Sequence, residues 1–225
     1  MNPTTDVPVL EWDEINDEPY IVLPGKPDFR LTPLRSSDVQ DWWELFNSPA
    51  ISANSIRNPK PFPKELAAKQ VDTRSAAARP FVDRLRAGAK VLNGSPFDAI
   101  REHASGKLIG DIHIYLSDNK VPPIEPRSDL DWVNETWDIG YNMSPAYEGK
   151  GLMKAATRAL LDGYLMPYMK LRQISAGSRD TNSASHAVLR RSGFVEVYRY
   201  SRTLPPELGG STVKAVKFKC VLPAQ

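Results

Sequence analysis

The chain has 225 residues, 41% apolar and 25% charged, with 29 Lys+Arg against 27 Asp+Glu. That balance excludes a wholly disordered chain and a collagen or coiled-coil rod, and it allows one domain with extensions. No run of about 18 apolar residues marks a membrane span, the net charge of +2 makes no case for nucleic acid, and a single cysteine, Cys220, excludes an intrachain disulfide and a thiol metal cluster.

Residues 1–28 hold seven acids and one base, so this leader carries −6 and the remainder +8. It reads as an acidic N-terminal extension. It lacks the basic-then-apolar pattern of a secretory signal, and a cytoplasmic setting is expected. Within it, Tyr20 to Leu23 has the make-up of an edge strand. Phe29 to Leu34 is predicted as a short strand. Ser36-Ser37-Asp38 offers N-cap oxygens to a helix carrying Val39, Trp42, Trp43, Leu45 and Phe46, which Asn47-Ser48-Pro49 stops. A second helix is predicted from Lys64 to Leu85, broken or kinked at Pro80. Strands at Phe97–Glu102 and Leu108–Leu116 form a hairpin around Ser105-Gly106-Lys107. Alternation puts Ile112, Ile114 and Leu116 on one face of the second strand and Asp111, His113 and Tyr115 on the other.

Residues 117–135 are polar and proline-rich and read as a long loop. Thr136–Met143 is the next strand, Gly151–Met166 a helix stopped by Pro167, and Leu171–Ala176 a strand. Thr181–Ser192 is a helix closed by Gly193. Phe194–Thr203 and Val213–Leu222 make a final hairpin. Cys220 alternates with Val216, Phe218 and Leu222, which makes it a packed thiol. Lys214, Lys217 and Lys219 take the solvated side of that strand. The order is mixed α+β, with a parallel pair expected where strand, helix and strand follow from 136 to 176.

The informative stretch runs from Trp137-Asp138-Ile139-Gly140-Tyr141-Asn142-Met143 through Gly149-Lys150-Gly151-Leu152-Met153. A strand enters a glycine-bearing turn that opens a helix. Such a turn aims backbone N–H groups at one point, the helix dipole adds positive potential, and a pyrophosphate suits it. A simple tight turn would show the same residues. The patterns G-x-x-x-x-G-K-[ST] and G-x-G-x-x-G are both absent. Some thirty residues on comes Asn182-Ser183-Ala184-Ser185, closed by Gly193-Phe194.

Taken together, Gly149 to Met153, Asn182-x-x-Ser185 and Gly193-Phe194 resemble the acetyl-CoA-binding motifs of the GNAT N-acetyltransferase superfamily. The ribosomal-protein N-terminal alanine and serine acetyltransferase branch is the most similar. Arg30 to Arg35 with Asp38, and Gly106 to Gly110, extend the likeness, which covers roughly residues 29 to 203. The resemblance implies a GNAT fold in the α/β class: a mostly antiparallel seven-strand sheet with a splayed parallel pair, flanked by helices. The domain would span 29–225, with a loop insertion at 117–135.

The resemblance implies acetyl transfer from acetyl-CoA to a primary amine by direct attack in a ternary complex. The acceptor is a small molecule, an amino acid or a protein N-terminus. It implies that Tyr141, Asn142 and Met143 meet the acetyl and pantetheine groups through their backbone. Gly149, Lys150, Gly151, Leu152 and Met153 would cradle the pyrophosphate. Asn182 would contact the pantetheine arm, Ser185 would act as general acid and contact the cofactor, and Asp138 stands where some members carry a general base. An amine near pKa ~10 is mostly protonated at pH 7, so the reaction does need a proton acceptor.

Three positions depart from the pattern. Glu148 stands where the family has a basic or amide residue, Met153 where it has a small one, and Leu189 where many members carry a tyrosine acid. Lys150 and Lys154 can supply the missing cation. These departures motivate an alternative, a non-catalytic acetyl-CoA sensor or scaffold. His113 either orients the amine or is an ordinary sheet histidine. Arg190 and Arg191 either reach the cofactor's 3′-phosphate or lie on a solvated face. His103, His113 and His186 lack metal spacing, so no metal is expected. The loop acids Glu125, Asp129, Asp131 and Glu135, with Trp132, would close over a cationic acceptor if the loop is ordered. No nucleic-acid or membrane partner is expected, and the protein is expected to be a monomer or a homodimer.

Overall fold

A computed structural model describes residues 7–55, 58–117, 131–133, 135–204, 206 and 210–223. Its strands are β1 (Leu10–Asp13), β2 (Glu18–Leu23), β3 (Lys26–Thr32), β4 (Ala99–Glu102), β5 (Leu108–Leu116), β6 (Trp137–Met143), β7 (Gln173–Arg179), β8 (Val195–Thr203) and β9 (Thr212–Val221). Its α-helices are α1 (Val39–Asn47), α2 (Pro49–Asn54), α3 (Lys64–Arg86), α4 (Leu152–Leu160) and α5 (Ser183–Arg191). The strands form one sheet in the order β1-β2-β3-β4-β5-β6-β7-β9-β8. Every neighbouring pair is antiparallel except β6 and β7.

Among the described residues the sheet has nine strands where seven were expected, and the leader supplies the extra two. β2 is not an edge: it lies between β1 and β3, with Ile21 and Leu23 fully buried. The boundary expected at residue 28 falls inside β3. Glu18, also buried, takes the Arg35 guanidinium at 2.6 Å. A leader with so many acids can pack because its apolar residues alternate in β2 and its buried acid is paired. Deleting residues 1–23 is therefore expected to destabilise the protein. Exposing the sites of Ile21 and Leu23 alone costs about 3–6 kcal/mol. At roughly 2–4 °C per kcal/mol the melting temperature should fall by at least ~6 °C, which differential scanning fluorimetry would read. An unchanged melting point would show the leader to be an appendage.

Two apolar clusters hold the layers together. The larger lies between the sheet and α4 and includes Ile112, Leu116, Trp137, Ile139, Leu160 and Phe218. The smaller packs Trp42, Leu45 and Phe46 of α1 against Ala67 and Val71 of α3. Pro80 neither breaks nor ends α3, which runs on to Arg86. Phe81, Val82 and Leu85 are buried beyond the proline, and that packing offsets the lost backbone bond. The helix expected to reach Met166 changes character after Leu160, continuing as one π-helical turn from Leu161 to Leu165. Gly163 in that turn lies against the leader: a Cβ there would stand 3.0 Å from the Pro8 carbonyl oxygen.

Asp38 does not cap α1 with its side chain. It accepts instead from the Arg35 backbone N–H at 2.8 Å and from the Arg101 guanidinium at 2.8 and 2.7 Å. Arg101 also donates to Thr32 Oγ1 and to the Gly106 carbonyl. Most of the 117–135 loop, with Glu125 and Asp129, lies outside the described residues, as does the Pro205 and Gly209 part of the last hairpin. Trp132 is not part of a lid. It is 3% exposed, donates its indole N–H to the Met169 carbonyl at 3.0 Å, and accepts from Trp137 through its own carbonyl at 2.8 Å.

Candidate active site

β6 and β7 register at one place only, Asp138 opposite Ser175. β6 continues to Met143 and β7 to Arg179 without further pairing. A cleft of about 680 Å³ opens there, lined by both strands, by α1 and α3 on one side and by β8 and β9 on the other. Asp138, Tyr141, Asn142, Asn182 and Ser185 all line it. The sequence-predicted residues are thus brought together in part.

Asn182 is the N-cap of α5, its Oδ1 accepting from the Ser185 N–H at 3.0 Å. That leaves its Nδ2 to meet a ligand. The Tyr141 hydroxyl lies 3.1 Å from Ser185 Oγ and 3.2 Å from the Ser185 carbonyl. Burial pushes the Tyr141 phenol up to about 12 against the pull of Ser185, so it stays protonated across the neutral range. The side chain of Tyr141 was not expected to take part. Its partnership with Ser185 depends on how α5 docks, which no spacing reveals.

The glycine turn stands beside the cleft rather than on its lining. Gly149 and Gly151 have φ of +72° and +75°, and a Cβ on either would meet nothing within 4 Å. Gly151 is the N-cap of α4, whose first helical bond runs from the Ala155 N–H to the Gly151 carbonyl. The N–H groups of Gly151 to Lys154 therefore have no partner within the helix. Open space over such N–H groups fits a pyrophosphate. Met143, Leu152 and Met153 are buried, so their side chains face the core and only their backbone can serve a ligand. Burial of Met153 removes the steric objection to it. Glu148 and Lys150 are exposed, Lys150 with its ammonium 5.1 Å from the Tyr147 ring centre. Leu189 is core, at 1% exposure.

Asp138 is buried and fully engaged. Its Oδ2 accepts from Ser117 at 2.8 Å and its Oδ1 from the Lys217 ammonium at 2.5 Å. Lys217 is therefore not on the purely solvated side of its strand, where it was expected with Lys214 and Lys219. Only the pairing of β9 beside β7 brings it to Asp138. Asn142 shares the face of Asp138, and its amide donates to Asp111 Oδ1 at 2.8 Å, so its side chain serves the floor of the cleft. Asp111 is completely buried. Burial pushes its carboxyl up, but the hydrogen bonds of His113 and Asn142 and the charges of His113 and Arg74 outweigh that and hold it below the usual range. Asp98, facing Arg74 at 3.4 Å, is pushed up by burial despite that neighbour.

Residues 28–195 match the family model described as an acetyltransferase (GNAT) domain. Over 67 residues the chain is 37% identical to the "putative ribosomal N-acetyltransferase YdaF" of Bacillus subtilis, covering 30% of this chain and 36% of that protein. The chain thus spans about a third of the length of the curated relatives it matches. Among solved structures, the ribosomal-protein-S5-alanine acetyltransferase of Vibrio fischeri is similar at a TM-score of 0.60 and 17% identity, over 86% of this chain and 93% of that one. The protein yncA of Salmonella typhimurium, solved with its cofactor acetyl-CoA, gives 0.57 and 14% over 87% and 94%. The chain belongs to the GNAT acetyltransferase family.

Proposed function

We propose that the protein moves an acetyl group from acetyl-CoA to a primary amine by direct attack in a ternary complex. The observation that carries this reading is the β6–β7 splay beside the Gly149–Gly151 turn. Gly151 to Lys154 would hold the pyrophosphate through backbone N–H groups, the β6 backbone and Asn182 the pantetheine arm. Acetyl-CoA supplies the thioester. The chain's own part is to bind an ammonium acceptor, take its proton and protonate the departing thiolate. The acceptor is a small amine, an amino acid or a peptide N-terminus, and it meets a lining in which Asp111 and Asp138 stand among Arg74, Arg179, Arg202 and Lys217. Ser185, bonded to the Tyr141 hydroxyl, would supply the proton to sulfur. With both oxygens of Asp138 engaged, its proposed role is to orient Lys217 and the acceptor rather than to abstract a proton unaided. We place the protein in the cytoplasm, where the buried thiol of Cys220 stays unpaired.

The test is thermal unfolding with and without acetyl-CoA at about a hundred times its Kd. A ligand at that level adds roughly 2.7 kcal/mol, which should raise the melting temperature by roughly 5–10 °C. CoA release is then followed with alkylamines, free amino acids, and peptides beginning with alanine or serine. No thermal shift would overturn the reading. A shift without turnover on any amine would favour a non-catalytic sensor.

A further inference from the structure

The cleft floor holds a second, independent constellation. His113 projects from β5 beside Asp111, with Nδ1 at 2.9 Å from Asp111 Oδ2. Asp111 is completely buried, while the His113 side chain is 20% exposed on the cleft. An imidazole nitrogen that close to a carboxylate carries the proton, so the hydrogen bond assigns the N–H to Nδ1 and leaves the lone pair on Nε2. Asp111 is fixed in turn by Asn142 at 2.8 Å and by Arg74 at 3.9 Å.

The ring's position is set by its opposite number across the strand pair. His113 pairs with Gly140 on β6, and a Cβ on Gly140 would stand 2.8 Å from His113 Nε2 and 2.9 Å from Cε1. The imidazole therefore lies over the bare backbone of β6, two residues past the last rung shared with β7. Only glycine leaves room for it there. This is the stretch of β6 to which the proposed reading brings the thioester carbonyl.

We propose that His113, held by Asp111, is the catalytic residue that accepts the proton of the amine acceptor through Nε2. An R–NH3+ acceptor gives one proton to Nε2, and the imidazolium formed is stabilised by ionised Asp111. The freed nitrogen lone pair forms the C–N bond as the C–S bond breaks. The second amine proton ends on sulfur, by way of Ser185 or water, and His113 returns its proton to solvent. At pH 7 only about 0.1% of an amine of pKa ~10 is neutral without such help. Among the described residues, the charged groups facing the ring are Asp111 on β5, Asp98 ahead of β4 and Arg74 on α3. The Tyr115 ring is centred 5.7 Å away, and Asp138 with Lys217 stands in the next row.

The proposal rests on the acetyl-transfer reading, and the tests separate the two. In the wild-type protein without ligand, ¹⁵N spectra of the imidazole should show the proton on Nδ1 and a free Nε2 at high pH. The His113→Gln variant should keep the acetyl-CoA thermal shift. Its kcat on the alkylamine or peptide accepted by the wild type should fall about 10²–10⁴-fold at pH 7, and the deficit should shrink as pH rises. Gly140→Ala, which displaces the ring without altering any titratable group, should lower kcat about 10²-fold. A neutral His113 protonated on Nε2, or a His113→Gln variant within twofold of wild type with the same pH profile, would overturn the proposal. Wild-type protein that binds no acetyl-CoA would overturn the underlying reading instead.

Discussion

Replacing Arg101 by methionine is expected to lower the melting temperature by roughly 6–20 °C. Arg101 is 3% exposed, and its guanidinium meets both oxygens of Asp38, which is equally buried, besides the Gly106 carbonyl and Thr32 Oγ1. Removing one partner of such a pair leaves the other charge in a low-dielectric site without compensation, at a cost of about 3–5 kcal/mol. At about 2–4 °C per kcal/mol for a chain of this size the range follows. The double variant Arg101→Met with Asp38→Leu should recover most of the loss, because an apolar pair of similar volume carries no unpaired charge. If the single variant melts within about 2 °C of wild type, the pair contributes little and the junction of β3, β4 and α1 is held by packing alone.

The second large effect concerns Gly151. Its φ of +75° suits glycine, and the space over it is open. Gly151→Trp should fold, with a backbone strain of about 1–3 kcal/mol, while the indole occupies the volume assigned to the pyrophosphate. The acetyl-CoA thermal shift of roughly 5–10 °C should then vanish. Gly88→Trp is the control, since Gly88 has φ +83° and equally open surroundings. It should show similar strain and keep the full shift. Retention of the shift in Gly151→Trp would move the phosphate site away from the α4 N-terminus.

What the sequence made legible was the part of the fold whose signals are local. The turn glycines before α4 and the alternation in β5 each depend on residues within a few positions of one another. They appear in the structure at the expected places. In the leader, Tyr20 to Leu23 was legible as an edge strand, but β1 and the interior place of β2 were not, because the acids dominate its composition; the burial of Ile21, Leu23 and the paired Glu18 explains the packing. That Pro80 does not break α3 was not legible, because packing of the residues after it is a tertiary effect. At the site, alternation already put Asp111, His113 and Tyr115 on one face, but not which face opened on the cleft. Lys217 with Asp138, Arg74 with Asp111, and Tyr141 with Ser185 join elements 37 or more residues apart, and no periodicity reports such meetings.

The single rung between β6 and β7 also has a mechanical meaning. Strands β1 to β6 form one plate and β7, β9 and β8 another, and in the sheet the two plates are hinged at Asp138 and Ser175. Any molecule lying along the gap and bonding to both margins would act as a brace, stiffening the hinge as a missing strand would. Donor occupancy and the stiffness of the acceptor pocket are therefore coupled, since the pocket has walls on both plates. Amide exchange on the gap-facing margins of β6 and β7 would slow together when the brace is in place, while exchange within each plate, already ruled by full ladders, would change little.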